Sequence, residues 1–436
     1  MKSQNLKVLL GVLAMFAALQ FSYGQGARYT GTYTKSAPIK YSGKSNFTIE
    51  GVEISGAGDV LIGLYNCENV TIRNSKLVSS PLKAGIYLFN CKNVTIVDCT
   101  FENVRSGLVA STSQGVKFEY NDVTNVIGVL HGSADFGSMV QFIQVSGAGN
   151  SISYNACDNI TGASAPEDLV NIFASSGTSA SPILIKGNWI RGGGPSNSGG
   201  GINLGDYGGA YQVAEDNVLV DAGQYGIAIS GGNNMTLRNN KVYGKKQSFT
   251  NVGMIVTNWY EKEAGASFNI TSSNNSINFT HAGGYQNSWW IPDNKGIVSG
   301  KETNKHDSSL SASILPDKII GRARDSASEP APEIPGDGNV TPNPDEGSGP
   351  STSPENGGVN SPISIYVDNF NRICVNCQGR VYRSANVSVA NSSGKKIYTQ
   401  PLTGYHTVIR SRLNSGTYSV TVRNGNTTQT QQVTVK

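Results

Sequence analysis

The chain has 436 residues, of which only 15% are charged, and its formal net charge is +4. Glycine, asparagine, serine and threonine are abundant and helix formers are scarce, so the composition favours an all-β protein with many turns. There is no basic run with interleaved aromatic residues, which argues against a nucleic-acid partner.

The first 24 residues have the pattern of an export signal. Lys2 and Lys7 supply positive charge, an apolar stretch follows at residues 8–19, and small or polar residues extend to Gly24. The apolar stretch is too short to span a membrane, so we expect a signal peptide that is cleaved near residue 24. No later stretch is long and apolar enough to span a bilayer, and we expect no transmembrane anchor in the mature chain.

Residues 25–320 repeat one unit. The segments "GLYNCENVTIRNSKL" from Gly63 and "YLFNCKNVTIVDCTF" from Tyr87 place Cys67 and Cys91 at equivalent positions. A self-similar period in this range is typical of a solenoid. One position of the unit is asparagine in five consecutive repeats: Asn121, Asn155, Asn188, Asn217 and Asn240. Asparagine bonds backbone groups at tight bends and stacks through its amides, so we predict an amide ladder at one corner of the coils.

A second strand lies upstream in each unit. It carries two inward apolar residues with one outward residue between them, and this alternation indicates a strand with one buried face. The inward pairs are Ile62/Leu64, Ile86/Leu88, Leu108/Ala110, Val140/Phe142, Val170/Ile172, Ile202/Leu204 and Ile227/Ile229. Ile202 and Leu204 lie inside "GGGPSNSGGGINLGDYGG" (residues 192–209). We therefore interpret this glycine-rich stretch as a strand with its turns, because a phosphate-binding loop would need a Gly-Lys-Ser/Thr end and a following helix.

Coils of short parallel strands stacked about 4.8 Å apart form a right-handed parallel β-helix. The asparagine-rich "NVTI" units resemble the repeats of the pectate-lyase-like superfamily, especially the repeat group shared by carbohydrate-binding proteins and sugar hydrolases. The resemblance covers most of residues 28–300. It implies a polysaccharide lying along one flat sheet face, and lyases of this fold use a basic catalytic residue, often with calcium.

The outward positions of the upstream strand form the predicted binding face. Amide and aromatic side chains, which bind sugar hydroxyls and pyranose rings, occur along it. The predicted substrate-binding residues are Tyr65, Tyr87, Gln141, Asn171, Phe173, Asn203 and Tyr207. The alternative is a solvated amide ladder that only stabilises the sheet.

Carboxylates flank this face. Glu167 and Asp168 precede the Asn171 strand, and Asp206 follows the Asn203 strand. Glycoside hydrolysis usually needs two carboxyl groups about 5 to 10 Å apart. Alignment of the repeated units predicts that Asp168 and Asp206 lie roughly 20 Å apart. This distance is too great for a catalytic pair unless the loops fold back. We take Asp168, Asp206 and Glu167 as the catalytic candidates and as conceivable calcium ligands, since hard cations prefer oxygen. Whether the chain is an enzyme, and whether a lyase or a hydrolase, stays open.

Three tryptophans lie near the end of the solenoid. Trp259 follows a strand, and Trp289 and Trp290 occur close to the last coil. We interpret them as a cover for the terminal core, which solenoids must protect. A sugar-binding platform is the alternative.

The C-terminal third changes in composition. Residues 321–361 are rich in Pro, Gly, Ser and Glu and are predicted to be a linker. Short alternating runs at residues 362–436 predict a small antiparallel β-sandwich. Residues 391–396, residues 413–420 and the final "QQVTVK" resemble the sorting domain of the type IX secretion pathway. This implies the type IX machinery as a partner and delivery to the outer cell surface or medium; an adhesion module is the alternative.

The cysteines are too few for a disulfide framework at this length. Cys67 and Cys91 are expected to stack one coil apart, with Cα atoms about 4.8 Å apart, a distance that permits a disulfide. Buried thiols are the expected state, because stacked side chains point the same way rather than toward each other. Cys374 and Cys377 fit a disulfide, a redox site or half a metal site; no second pair or His cluster accompanies them, so a local disulfide is expected.

Two functions follow from these observations. The first is a secreted or cell-surface β-helix that binds a polysaccharide along its outward sheet face, with cleavage by a lyase or hydrolase reaction left open. The second is a non-catalytic adhesin or glycan-binding protein exported by the same route.

Overall fold

The structure is a computed structural model. It describes residues 29–324 except 30, 57, 130–136 and 197, and then residues 363–367, 373–377, 385–402, 406–409, 413–424 and 427–435. The predicted signal peptide and most of the predicted linker lie outside the described residues.

The repeated units form a parallel β-helix. Its 28 strands belong to one continuous parallel sheet that bends at the corners of each coil and so presents three faces, called here front, back and side. Alternate residues of each strand point into a common core. Ile202 pairs in register with Val170 and Ile227, and all three are fully buried. The glycine-rich stretch therefore contains a core strand, as predicted.

The strands of each face follow in chain order. The front face contains β2 (Ile39–Ser42), β5 (Ile62–Tyr65), the ends of β7 (Lys76–Phe89) and β9 (Thr100–Ser111), β12 (Val140–Ile143), β15 (Val170–Ser176), the start of β18 (Ile202–Glu215), β20 (Tyr225–Ile229), β23 (Val252–Val256) and β26 (Trp289–Trp290). The back face contains β3 (Ser45–Glu50), β6 (Glu68–Arg73), β8 (Lys92–Val97), β10 (Gln114–Glu119), β13 (Ser151–Ser153), β16 (Ile183–Lys186), the end of β18, β21 (Asn233–Arg238), β24 (Ile270–Ser273) and β27 (Val298–Ser299). The side face contains β1 (Thr34–Ser36), β4 (Val52–Ser55), the starts of β7 and β9, β11 (Asp122–Val126), β14 (Ala156–Asp158), β17 (Trp189–Arg191), β19 (Val218–Val220), β22 (Lys241–Gly244), β25 (Ser276–Phe279) and β28 (Lys305–His306). Helix α1 (Glu261–Ala264) and two 3-10 turns (Lys301–Thr303 and Ala312–Ile314) complete this part.

The predicted asparagine ladder is confirmed at the corner between the back and side faces. Asn155 donates from Nδ2 to Asn188 Oδ1 at 2.9 Å and to the Phe118 carbonyl at 2.8 Å, and its Oδ1 accepts from the backbone N–H of Asn121. Each amide thus forms hydrogen bonds both with backbone groups at the bend and with the next amide. The ladder continues beyond the predicted repeats to Asn275 and Asn304.

The thiol prediction is confirmed for the solenoid. Cys67 and Cys91 are free and buried, one coil apart. Burial raises the pKa of Cys91 to about 11, so its thiol is neutral at physiological pH. Cys374 and Cys377 belong to a C-terminal strand, but their side chains lie outside the described residues, so their expected disulfide stays a prediction.

After the last coil, the chain turns back across the side face as a strap (residues 310–324). Arg191 donates to the carbonyls of the strap at 3.2 and 2.8 Å. The guanidinium of Arg322 lies 4.1 Å from the centre of the buried Trp189 ring. Arg324 forms an ion pair with Asp98. These contacts fasten the strap onto coils much earlier in the chain.

The C-terminal unit, considered by itself, is the predicted antiparallel β-sandwich. One sheet contains β29 (Ile363–Val367), β30 (Ile373–Cys377) and β33 (His406–Val408). The other contains β32 (Lys396–Pro401), β31 (Asn386–Ala390), β34 (Gly416–Asn424) and β35 (Thr427–Val435). The two sheets share a core in which Ile365 and Val375 belong to the same cluster as Val389 and Val420.

Candidate active site and glycan cleft

A β-bulge shapes the outward surface of the front face. Asn171 pairs in register with Asn203, but Phe173 pairs with Asp206 because one extra residue is inserted in β18. Gly205 takes a positive φ of 66° there, which glycine adopts at little cost. Without the bulge, Gly205 would pair with Phe173; the inserted residue places Asp206 there instead.

The bulge brings two carboxylates together. Asn171 Nδ2 donates to Asp168 Oδ2 and to Asp206 Oδ2, each at 2.8 Å. The distance between these two carboxylate oxygens can therefore be no greater than the sum of the two hydrogen-bond lengths. The predicted separation of roughly 20 Å is therefore wrong. It assumed straight, fully extended strands, whereas Asp206 is moved by the bulge and both side chains turn toward one amide. We call Asp168, Asn171, Asn203 and Asp206 the carboxylate–amide cluster.

Asp168 is the buried member of this cluster, only 5% exposed. Besides Asn171, it accepts hydrogen bonds from Asn203 Nδ2 at 3.1 Å, from the backbone N–H of Gly200 at 2.9 Å and from the Tyr225 hydroxyl. A Cβ atom at Gly200 would lie 2.5 Å from the Tyr225 carbonyl oxygen and 2.7 Å from Cγ of its ring. Glycine at this position therefore leaves room for both the backbone and the ring of Tyr225, which reaches across the intervening coil to Asp168.

The surroundings of Asp168 alter its ionisation. Burial raises the pKa of Asp168 to about 6, the hydrogen bonds from Tyr225, Asn171 and Asn203 oppose this rise, and the nearby charge of Asp206 adds to it. Burial and the adjacent Asp168 raise the pKa of Tyr225 well above its usual range. Tyr225 therefore stays a neutral hydroxyl donor.

Asp206 is the more accessible carboxylate. It is half-buried, and its Oδ1 accepts from the Tyr260 hydroxyl at 2.6 Å. The Tyr207 ring stacks on Phe173 with centroids 5.4 Å apart and contacts Tyr260 at 5.3 Å. Asp206 thus lies at the edge of an aromatic surface.

A cleft of about 570 Å³ opens beside the cluster, toward the last coil. It is lined by Ser198, Asn203, Gln224, Tyr225, Ala228, Ser230, Asn251, Val252, Ile255, Trp259, Tyr260, Asn287 and Trp290. The rings of Trp259 and Trp290 stack 5.3 Å apart and are 56% and 44% exposed. Trp289 packs against the main core, as expected for a residue that covers the end of the solenoid. Trp259 and Trp290 are exposed and line the cleft, so the prediction that they cover the terminal core is wrong.

The remaining predicted site residues are not members of the cluster. Glu167 accepts from Ser196 Oγ at 2.5 Å and from Ser198 Oγ, so it holds the neighbouring loop. Gln141 is half-buried and in register with Asn171, one coil earlier. Tyr65 and Tyr87 have ring centroids 5.9 Å apart and lie three to four coils before Asn171, roughly 14 to 19 Å away along the axis.

The three proposed calcium ligands do not converge. Among the residues that the structure describes, no group of three or more His, Cys, Asp and Glu side chains is placed to hold a metal ion. Asn171 lies between the two carboxylates but donates N–H groups to them, so it does not supply an oxygen ligand there. Glu167 accepts a hydrogen bond from Ser196 and is not part of the cluster. The cluster as arranged does not fit a calcium ion, whose ligands are oxygens.

Sequence reasoning missed Tyr225, Tyr260 and the roles of Trp259 and Trp290. Tyr225 precedes Ile227 by the same two residues that separate Asp168 from Val170, and this shared offset was the available signal. No comparable signal placed Tyr260 beside Asp206, because the loop that carries it folds back by tertiary contacts.

Comparisons with family models support the architecture. Residues 38–214 match the family described as right-handed beta helix region, and residues 368–436 match the secretion system C-terminal sorting domain. No curated protein matches the sequence. Among solved structures, the catalytic domain of a GH87 alpha-1,3-glucanase aligns at 12% identity, with TM-scores of 0.35 in complex with tetrasaccharides and 0.33 and 0.32 in complex with nigerose. Each alignment covers 64% of this chain and 60% of the glucanase domain, so the chain spans under two thirds of that domain's length.

None of the helices among the described residues is long and apolar enough to cross a membrane. The sorting-domain match agrees with the predicted type IX route. The chain is therefore a secreted or cell-surface protein, built from a right-handed parallel β-helix and a type IX secretion sorting domain.

Proposed function

We propose that the protein binds a polysaccharide on its front face, in the cleft beside the carboxylate–amide cluster. The observation that carries this proposal is the stacked, half-exposed indole pair of Trp259 and Trp290 above an amide-lined floor. Exposed indoles in contact with each other are uncommon on a soluble surface and mark a binding site. Aromatic faces pack against pyranose rings, and amides bond sugar hydroxyls.

We expect Trp259→Ala to weaken binding by about tenfold, which corresponds to about 1.4 kcal/mol. Loss of the indole removes the ring face and the partner of Trp290. Affinity electrophoresis of the full mature chain through gels containing soluble polysaccharides measures the effect. Phe268→Ala is the matched control, because Phe268 is 55% exposed and does not line the cleft. Equal retardation of wild type and Trp259→Ala on the best-bound glycan would contradict the proposal.

A second candidate function, glycoside hydrolysis, is favoured by one specific observation. The two carboxylate oxygens bridged by Asn171 can be no farther apart than the sum of two 2.8 Å hydrogen bonds, a limit compatible with the roughly 5–5.5 Å between the carboxyl groups of retaining glycosidases. Asp206 is the carboxyl group that reaches the substrate in this proposal. Asp168 has four donors on its two oxygens, so it positions Asn171, Asn203 and Tyr225, and substrate must displace one of these donors before Asp168 can exchange a proton with it.

If the cluster is catalytic, Asp206→Asn lowers hydrolysis by at least about a hundredfold, because acid–base catalysis contributes this much or more. Glycan binding should change by less than about twofold, since the indoles remain. Release of reducing ends from the best-bound polysaccharide measures the first effect and affinity electrophoresis the second. Asp216→Asn is the control, because Asp216 is exposed and does not line the cleft. No release of reducing ends by wild type would leave binding as the function.

A further inference from the structure

We infer that the cleft selects uncharged polysaccharides and rejects polyuronates and sulfated glycans. This inference rests on the proposed glycan-binding function and adds its substrate class. It is carried by the distribution of charge around the cleft.

The described residues that line the cleft include no cation. None of its described lining residues is lysine or arginine, and Lys295, on the loop beyond Trp290, is already paired with Glu261 at 2.6 Å. Recognition of a carboxylate or sulfate normally uses a guanidinium or ammonium group in a charge-assisted hydrogen bond. An acidic sugar would therefore lose its hydration in the cleft without gaining an ion pair.

Among the described residues, the charged groups that form hydrogen bonds with side chains lining the cleft are carboxylates. Three lining residues contact the carboxylates directly: Tyr260 bonds Asp206, while Tyr225 and Asn203 bond Asp168. Like charges at such short range repel, and the repulsion is stronger beside a protein surface than in bulk water. A polyuronate lying along the front face would bring its carboxylates against Asp206, which is only half-buried.

The polar groups of the cleft suit hydroxyls. The side-chain amides of Asn251 and Asn287 contain both donor and acceptor atoms, which matches the dual character of a sugar hydroxyl, and Asn287 uses one N–H for the Asn251 carbonyl at 2.8 Å. The hydroxyls of Ser230, Tyr225 and Tyr260 already donate to Asn203, Asp168 and Asp206, and each can still accept a hydrogen bond from a sugar hydroxyl. Together with the indole pair, they provide the apolar and polar contacts that a neutral sugar ring needs.

The test measures retardation of the full mature chain in gels containing dextran, laminarin, mannan, polygalacturonate, alginate, heparin or chitosan, at low and high salt. We expect retardation by at least one uncharged polysaccharide, nearly independent of salt, and at least about tenfold weaker binding of each polyanion. Tighter binding of a polyanion or of cationic chitosan would overturn the inference while leaving glycan binding intact. Binding to none of the seven would count against the proposed function itself.

A variant tests the cause of the selection. Asp206→Asn should raise polygalacturonate binding relative to the uncharged polysaccharide by about threefold or more, since it removes the nearer negative charge. Asp216→Asn, which changes an exposed charge away from the cleft, should leave the ratio unchanged. An unchanged ratio in Asp206→Asn would show that repulsion by Asp206 does not set the preference.

Discussion

Replacing Asn155 by alanine lowers the free energy of unfolding by about 3–5 kcal/mol. Asn155 Oδ1 accepts from the backbone N–H and from Nδ2 of Asn121, at 2.9 and 3.2 Å. Its Nδ2 donates to the Phe118 carbonyl and to Asn188. Alanine removes all four bonds at a fully buried corner and leaves the donors of Asn121 without this acceptor where water does not reach.

Urea-induced unfolding of the full mature chain, followed by far-ultraviolet circular dichroism, measures this loss. The matched control is Asn90→Gly. Asn90 donates to Asn66 Oδ1 at 2.7 Å in a similar amide–amide bond, but it is exposed, and glycine keeps its positive φ of 51°. We expect the control to lose less than about 1 kcal/mol, because water replaces an exposed hydrogen bond. Equal losses in the two variants would mean that burial does not give the internal ladder its strength.

The stability of the protein relative to Asp168→Asn increases by about 2 kcal/mol between about pH 7 and about pH 4. The pKa of Asp168 is raised from 3.8 to about 6 in the folded chain, mainly by burial. The folded state therefore binds this proton more tightly than the unfolded state, and protonation stabilises the fold. The gain is complete below the unfolded pKa near 3.8 and is lost as the pH rises through about 6.

Comparison with Asp168→Asn isolates this proton, because other carboxyl groups titrate in both proteins. Burial of Glu215 is outweighed by its bonds to Arg238 and Lys186, so the pKa of Glu215 is lowered and its contribution has the opposite sign. The amide that replaces the Asp168 carboxylate has only one acceptor oxygen for the four donors, so the variant is less stable throughout. Thermal unfolding at a series of pH values measures the difference, with Asp216→Asn as the exposed control. A difference that does not vary with pH would show that Asp168 keeps its ordinary pKa.

The core of the β-helix was predictable because its signal is local. Ile62/Leu64 and the equivalent pairs alternate with outward residues within a few positions, and parallel stacking then puts each pair above the last. The asparagine ladder was predictable for the same reason, since each member occupies a fixed offset from an inward residue. Repetition thus converts a weak local pattern into a firm prediction.

The candidate site was predictable only in part, because it depends on departures from the repeat. Asn171 and Asn203 lie at regular outward positions and were identified. The position of Asp206 on the front face depends on the bulge at Gly205, and an alignment of the repeated units does not predict a bulge. Trp259 depends on a loop that folds back after β23, and its partner Trp290 is far away in the chain. Such contacts are set by tertiary packing rather than by local pattern.

The strap has a mechanical consequence. It begins beside the late strand β25, where Asn278 donates to Leu310, and reaches back to Asp98, a span of roughly 29 Å over six coil steps. Tension applied to the chain beyond Arg324 therefore reaches the Arg324–Asp98 pair and the Arg322 stack first. A pull directed along the axis loads these contacts in shear, whereas the same pull on a tether that left directly from the last coil would peel its strands away one hydrogen bond at a time.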